Sequence, residues 1–206
     1  MGELIIGNIK ARKILDSRGN PTIEVETTIQ NESSDTIGFG SAAAPSGASR
    51  GVHEVTPFSE GSVDKSIEEL SEISEELKGT NFENQASFDE KCRELDGTPD
   101  LSKVGGNAII ALSMSIAKAV ASTENSPLYR YLNPNNSLKL PYPLGNVLGG
   151  GEHAGPTSPD IQEFLVLPVG AESFQQAAFA NAKVHGLVEE ILTRENSEFA
   201  GGKSDE

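Results

Sequence analysis

The sequence predicts a small α+β domain over residues 1–135, followed over residues 136–206 by two strands and one helix. Three observations carry this prediction. Apolar residues alternate with polar ones near the start of the chain, and from about residue 62 they recur at helical spacing. A stretch rich in proline and asparagine, NPNNSLKLPYP (133–143), then separates the two parts without any apolar period crossing it.

The first part opens with strands. LIIGNIKARKIL is rich in β-formers, and the turn residues of DSRGNPT follow it. In PTIEVETTI the residues Ile23, Val25, Thr27 and Ile29 alternate with polar neighbours, which predicts a half-buried antiparallel strand. TIGFGSAAAP predicts a further strand, rich in glycine and alanine, that leads into the small-residue loop SGASRG.

Helices follow these strands. SVDKSIEELSEISEELKG and ENQASFDEKCRELDG predict helices that stop at Gly79 and Gly97. GGNAIIALSMSIAKAVAS is apolar on nearly every side and predicts a buried helix. SPLYRYL predicts a short helix with Ser126 as its N-cap and Pro127 at its first position.

The second part has too few elements to enclose a core of its own. LGNVL and EFLVLP predict strands, and SFQQAAFANAKVHGLVEEILT predicts an amphipathic helix. Two strands and one helix cannot bury both faces of a sheet, so we expect the second domain to be incomplete.

Net charge and cysteine content exclude several classes of partner and of structure. The 206 residues carry a formal net charge of −15, which repels phosphate backbones and anionic membranes, so neither nucleic acid nor a membrane is an expected partner. An acidic site could still hold divalent cations. The single cysteine, Cys92, excludes an internal disulfide, and the N-terminus lacks a secretory pattern, so we expect a cytoplasmic protein.

Two loops have unusual compositions. GGGEHAGPTSPDIQEF (149–164) formally contains a dinucleotide-binding glycine pattern, but its prolines prevent the helix which that pattern requires. Too few His or Cys residues lie nearby for a structural metal site. His153 and Glu163 could act as acid and base groups, or they could be a solvated loop histidine and a surface glutamate. PSGASRG, which contains Ser46, lacks the ending of a Walker A loop and could be a hinged ligand loop or a plain surface loop.

Taken together, DSRGNPTIEVE, PSGASRGVHE and NVLGGGEHAG…QEF, in this order and spacing, closely resemble the enolase family. KVGGNAIIALSMSIAKAVA…PLYRYL is similar to the buried helix of that family and the segment after it. The resemblance implies an α+β N-terminal domain, with a three-stranded antiparallel sheet and helices, followed by the beginning of an enolase-type β/α (TIM-like) barrel.

The resemblance also implies a chemistry: the reversible dehydration of 2-phosphoglycerate to phosphoenolpyruvate, with a lysine base and Mg²⁺ stabilising the enolate. On this sequence, Ser46 matches a loop serine that joins the second Mg²⁺. His153 matches the lid histidine that reaches the substrate. Gln162 and Glu163 match a Gln-Glu pair near the leaving hydroxyl, and Glu206 matches the general acid.

Some positions depart from the family pattern. Arg50 stands where threonine is usual, Pro156 stands where glycine is usual, and Ser204 stands before the Asp-Glu pair where the family has glycine. The lysine base and the main Mg²⁺ ligands of the family match nothing in these 206 residues. The resemblance implies that the parent protein is a homo-oligomeric lyase. Because the lysine base and the main Mg²⁺ ligands are missing, we expect this polypeptide to be inactive. The alternative is a non-catalytic module for folding or interaction.

Overall fold

Two compact units make up the chain, Met1–Asn136 and Ser137–Glu206. A computed structural model describes residues 3–45, 51–133, 138–151 and 158–195.

The first unit is a three-stranded antiparallel sheet with helices. Its strands lie in the order β1-β2-β3 and pair with their neighbours along the chain. In its described part the elements are β1 (Leu4–Leu15), β2 (Pro21–Asn31), β3 (Thr36–Ala43), a 3₁₀ turn (Ser59–Gly61), α1 (Val63–Leu77), α2 (Gln85–Asp96), α3 (Gly106–Thr123) and α4 (Leu128–Leu132).

The alternation in β2 places one face of the strand in the core, as predicted. Ile23, Val25 and Ile29 are fully buried, and Thr27 is 1% exposed. The one polar group on this face is satisfied, because the Thr27 hydroxyl lies 2.6 Å from the Ser115 hydroxyl of α3. A buried hydroxyl pair costs little once it is hydrogen-bonded.

Helix α3 packs directly on the sheet, and the predicted burial of this helix is confirmed. Its close approach depends on two glycines of β3. A Cβ on Gly38 would lie 2.0 Å from the Ala119 carbonyl oxygen, and a Cβ on Gly40 would lie 2.0 Å from that of Ser115. The glycines of TIGFG are therefore required for helix–sheet packing.

Local signals bound the helices where the sequence predicts. The one exception is the start of α4. Helix α2 begins with a capping box between Asn84 and Ser87, and it ends at Gly97 in the left-handed conformation. The prediction that Ser126 caps α4 was wrong. Pro127 is the N-cap, with extended backbone angles, and the helix begins at Leu128. The Ser126 amide instead donates to the Ala121 carbonyl at the end of α3, so Ser126 belongs to the connection between the helices.

A buried carboxylate organises the turn between α2 and α3. Asp96 is 3% exposed, and its Oδ2 accepts the Val104 amide at 2.8 Å. Its Oδ1 accepts the Thr98 amide at 3.1 Å and also the Thr98 hydroxyl. The hydrogen bond from Val104 connects the end of α2 to the segment that enters α3, and the two from Thr98 hold the turn directly after α2.

The second unit contains β4 (Gly145–Gly149), β5 (Glu163–Val166) and α5 (Phe174–Glu195) among its described residues. The two strands pair antiparallel, and α5 packs on β4 with Ala177 buried. Within the described residues these strands form no closed barrel. Many apolar side chains of the unit are at least 38% exposed: Leu138, Leu140, Tyr142, Leu144, Ile161, Phe164, Leu165, Leu167, Val169, Phe174, Phe179, Leu187 and Ile191.

Across the described ranges, every helix is too short or too polar to cross a membrane.

Candidate active site

The candidate site residues fall into two groups. Ser46, His153 and Glu206 lie outside the residues that the structure describes, as do the departures Arg50, Pro156 and Ser204. Gln162 and Glu163 are described, together with both ends of the two loops that carry Ser46 and His153. The structure therefore shows the residues at both ends of these loops and the elements that hold them.

The loop that carries His153 connects β4 to β5, and hydrogen bonds close its base. The Gly150 amide donates to the Gln162 carbonyl at 2.7 Å, and the Gly151 amide donates to the Pro159 carbonyl at 2.7 Å. The Ser158 hydroxyl donates to the Gly151 carbonyl at 3.0 Å. The two ends of the loop are thus held side by side.

The glycine run at this base has a steric origin. A Cβ on Gly150 would lie 2.2 Å from the Ile161 carbonyl oxygen and 2.6 Å from that of Pro159, which leaves no room for any other residue. Gly151 has a φ of 68°, in the left-handed region that favours glycine. The run that resembles a phosphate-binding pattern in sequence therefore serves here to close a loop between antiparallel strands.

Glu163 is the first residue of β5 and pairs in register with Gly149 of β4. Its side chain is exposed, as is that of the neighbouring Gln162. The hairpin consequently presents an accessible carboxylate and an amide beside the foot of the His153 loop. A carboxylate in this position is available for proton transfer to or from a bound hydroxyl.

A residue that the sequence did not single out also reaches Glu163. The Asn146 Nδ2 of β4 lies 3.5 Å from Glu163 Oε1. Its only signal in the sequence is a polar side chain within the short apolar strand LGNVL, and that signal is too common to identify a site.

The loop that carries Ser46 leaves the sheet at a well-held point. The Ala44 amide donates to the Ile23 carbonyl at 3.1 Å, and the Thr22 hydroxyl donates to the Ala44 carbonyl at 2.8 Å. The hairpin turn Asp16–Asn20 lies at the same end of the sheet, because it joins β1 to β2 where β3 ends. The chain therefore enters this loop from a strand end that hydrogen bonds hold in place.

The same loop returns to the fold at Thr56. The Thr56 amide donates to the Asp100 carbonyl at 2.9 Å, and its hydroxyl donates to Asp100 Oδ2 at 2.9 Å. The Thr56 carbonyl in turn accepts the Gly106 amide at the start of α3. Hydrogen bonds from the side chains of Ser102 and Thr56 lower the pKa of Asp100, so this anchor is strongest when Asp100 is ionised.

The motif DSRGNPT forms the β1–β2 turn, and its aspartate acts structurally. Asp16 Oδ1 accepts the Asn20 amide at 2.8 Å and the Arg18 amide at 2.9 Å. These backbone hydrogen bonds, led by that of Asn20, lower the pKa of Asp16. The turn is thereby fixed next to the departure point of the Ser46 loop.

Among the described residues, no group of three or more His, Cys, Asp or Glu side chains is arranged to hold a metal ion. Within the described ranges the one side-chain partner of Glu163 is the Asn146 amide, whose nitrogen is not a metal ligand. The described part of the chain does not by itself fit a Mg²⁺ ion, which needs several oxygen ligands.

Comparison with known proteins gives matches along nearly the whole chain. The family profile "Enolase, N-terminal domain" matches residues 6–132, and the profile "Enolase, C-terminal TIM barrel domain" matches residues 137–206. The chain is 52% identical over 205 residues to an enolase of Methanothermobacter thermautotrophicus, covering 99% of this chain and 48% of that protein. It is 45% identical over 203 residues to an enolase of Methanosphaera stadtmanae, covering 98% of this chain and 48% of that protein.

The chain thus spans about half the length of the curated relatives it matches. The expected fold class, an α+β domain followed by the beginning of a TIM-like barrel, is confirmed by these matches and by the three-stranded sheet with its helices. In a regular (β/α)₈ barrel all strands run parallel, whereas the first two strands here are antiparallel. With both domain profiles matched in order, the chain belongs to the enolase family.

Proposed function

We propose that the protein to which these residues belong is a lyase of glycolysis and gluconeogenesis that interconverts 2-phospho-D-glycerate and phosphoenolpyruvate. Membership in the enolase family supports this reaction. The structural observation that carries the proposal is the exposed Gln162–Glu163 pair at the start of β5, beside the hydrogen-bonded foot of the loop with His153. Because a carboxylate and a histidine can both transfer protons, this end of the hairpin suits a dehydration that must protonate a leaving hydroxyl.

The roles of the individual residues follow from the resemblance. Glu163 lies near the C3 hydroxyl, and Gln162 contacts the substrate. His153 reaches the substrate from the loop, and Glu206 is the general acid.

Two Mg²⁺ ions complete the proposed site, and Ser46 is proposed as a ligand of the second. Divalent cations on the substrate carboxylate supply the charge stabilisation that makes removal of a weakly acidic proton feasible. The described residues do not fit Mg²⁺ by themselves. The main Mg²⁺ ligands and the base lysine are proposed to belong to residues of the parent protein outside these 206.

Two further properties belong to the proposal. The parent protein is cytoplasmic, in line with the single cysteine of these residues, and homo-oligomeric, as the resemblance implies. Its partners are the small-molecule substrate and further copies of itself. The net charge of −15 is consistent with a protein that binds neither nucleic acid nor anionic membranes.

The alternative is that the 206-residue polypeptide acts only as a module for folding or interaction. The exposed apolar side chains of the second unit favour it for the polypeptide alone, because apolar surface of this extent marks contact sites. The reaction is proposed for the parent protein, and the role as a module is proposed for the isolated polypeptide.

One experiment separates them. Residues 1–206 are purified alone and also as a chimera with the second half of the Methanothermobacter enolase. Phosphoenolpyruvate formation from 2-phosphoglycerate is followed by ultraviolet absorbance with Mg²⁺. We expect no turnover by residues 1–206, turnover by the chimera, and its loss in Glu163→Gln.

The matched control is Glu172→Gln, which changes an exposed glutamate outside the proposed site and should keep the activity of the chimera. A folded chimera without activity would contradict the proposed reaction. Appreciable turnover by residues 1–206 alone would contradict the assignment of the base and main metal ligands to other residues.

A further inference from the structure

Asn146 lies across the hairpin from Glu163, and its side-chain amide is the one recorded side-chain partner of that carboxylate in the described part of the chain. The Asn146 Nδ2 donates to Glu163 Oε1 at 3.5 Å. The contact is long for a hydrogen bond. Long contacts of this kind are common in ligand-free active sites and shorten when substrate binds.

An irregularity in the hairpin brings Asn146 to this face. Gly149 pairs with Glu163 and Leu148 pairs with Phe164, so a regular ladder would next pair Val147 with Leu165. The register shifts between Asn146 and Leu148, and it is Asn146 that lies opposite Leu165.

Because Leu165 and Glu163 are two residues apart, they point to the same face of the strand. Directly opposed residues of antiparallel strands also share a face. The bulge at Val147 therefore replaces a valine on the Glu163 face by an asparagine. Bulges near active sites often redirect a side chain in this way.

Two neighbours make this arrangement specific. Gly149, the direct partner of Glu163, has no side chain, so Asn146 meets the carboxylate without competition from that position. The start of β4 is held by α5, where the Asn181 Nδ2 donates to the Pro143 carbonyl at 2.8 Å. A Cβ on Gly145 would lie 2.9 Å from the Asn181 amide, so strand and helix are in direct contact there.

We propose that Asn146 is a positioning residue for Glu163, holding one carboxylate oxygen with its side-chain amide so that the other oxygen faces the leaving hydroxyl. This role rests on the proposed function, in which Glu163 acts at that hydroxyl. The chemistry fits because an asparagine amide offers two N–H donors, and an ionised carboxylate is an acceptor only. A carboxylate held in one orientation is more often in the geometry that the reaction requires.

The contact itself is tested by NMR on the ¹⁵N-labelled 206-residue chain, through the assigned side-chain amide signals of Asn146. Replacing the acceptor by Glu163→Gln should move these signals, and removing it by Glu163→Ala should move them further, because a hydrogen bond to a charged acceptor is stronger than one to a neutral acceptor. Glu172→Ala, the matched control, should leave them in place. Unchanged Asn146 signals in Glu163→Ala would overturn the proposal.

The functional consequence is tested in the chimera described above. Asn146→Ala should lower kcat roughly tenfold to a hundredfold with KM nearly unchanged, since the residue acts through Glu163 and not on substrate binding. Asn146→Asp keeps the shape, removes the donors and adds a repelling charge, so it should lower kcat at least as much. A wild-type kcat in Asn146→Ala would overturn the positioning role.

The NMR experiment tests the contact between Asn146 and Glu163 independently of the proposed reaction. A folded but inactive parent chimera would count against the proposed reaction, and the amide signals would then still decide for or against the contact between Asn146 and Glu163.

Discussion

Replacing Gly150 by alanine should open the base of the loop that carries His153. The new Cβ would lie 2.2 Å from the Ile161 carbonyl oxygen and 2.6 Å from that of Pro159, whereas nonbonded atoms separate to about 3.5 Å. The facing segment must therefore move away by about 1 Å. That movement breaks the two 2.7 Å hydrogen bonds donated by the amides of Gly150 and Gly151.

The expected magnitude follows from those two bonds. Each backbone hydrogen bond contributes about 0.5–1.5 kcal/mol net, so their loss lowers the local free energy of opening by about 1–3 kcal/mol. This corresponds to a fall of roughly 5- to 150-fold in the protection of the two amides against hydrogen exchange.

Hydrogen exchange read by NMR is the appropriate assay, because it reports this hairpin separately from the first unit. Gly170→Ala is the control, since a Cβ at position 170 meets nothing within 4 Å and the backbone there does not have a positive φ. The control should keep the protection of the parent chain. If Gly150→Ala also exchanged like the parent chain, the steric explanation of the glycine run would be refuted.

Three further predictions concern the first unit. Asp96→Ala leaves two backbone amides without their buried acceptor and should destabilise the unit by about 2–4 kcal/mol in urea denaturation; an unchanged midpoint would contradict this role. Because hydrogen bonds, chiefly from Ser102, lower the pKa of Asp100, its stabilising contribution is present above the ordinary pKa of an aspartate and is lost as pH falls through the lower pKa of the folded state. The Tm of Asp100→Asn should therefore depend less on pH in the acidic range than the Tm of the parent chain. An equally steep dependence would contradict the stabilising role of the ionised Asp100 carboxylate. Burial raises the pKa of Cys92 to about 12, so the thiol should resist alkylation at mildly alkaline pH and react in concentrated urea; rapid alkylation of the folded chain would show that it is accessible.

The elements of the fold were largely predictable because their signals are local. The alternation in β2 and the apolar sequence of α3 each identify one element and its buried surface. The exception, the start of α4, is a boundary of one residue. There the Ser126 amide donates to the Ala121 carbonyl at the end of α3, a hydrogen bond of the preceding helix that the capping preferences of α4 do not take into account.

The site was predictable only in part. Glu163 stands at the start of β5 as its sequence indicated. The position of Asn146 could not be predicted, because it depends on a bulge whose cause lies in the pairing of two strands.

By itself, the sequence determined the order of the elements, the buried faces of β2 and α3, and the family, because periodicity and motifs are properties of neighbouring residues. Tertiary structure alone decided why particular small residues are needed. The glycines at 38, 40 and 150 look alike in the sequence, yet two allow a helix to lie on a sheet and the third closes a loop. The physical reason is that each is fixed by the approach of a distant backbone carbonyl, and such an approach exists only once the chain has folded.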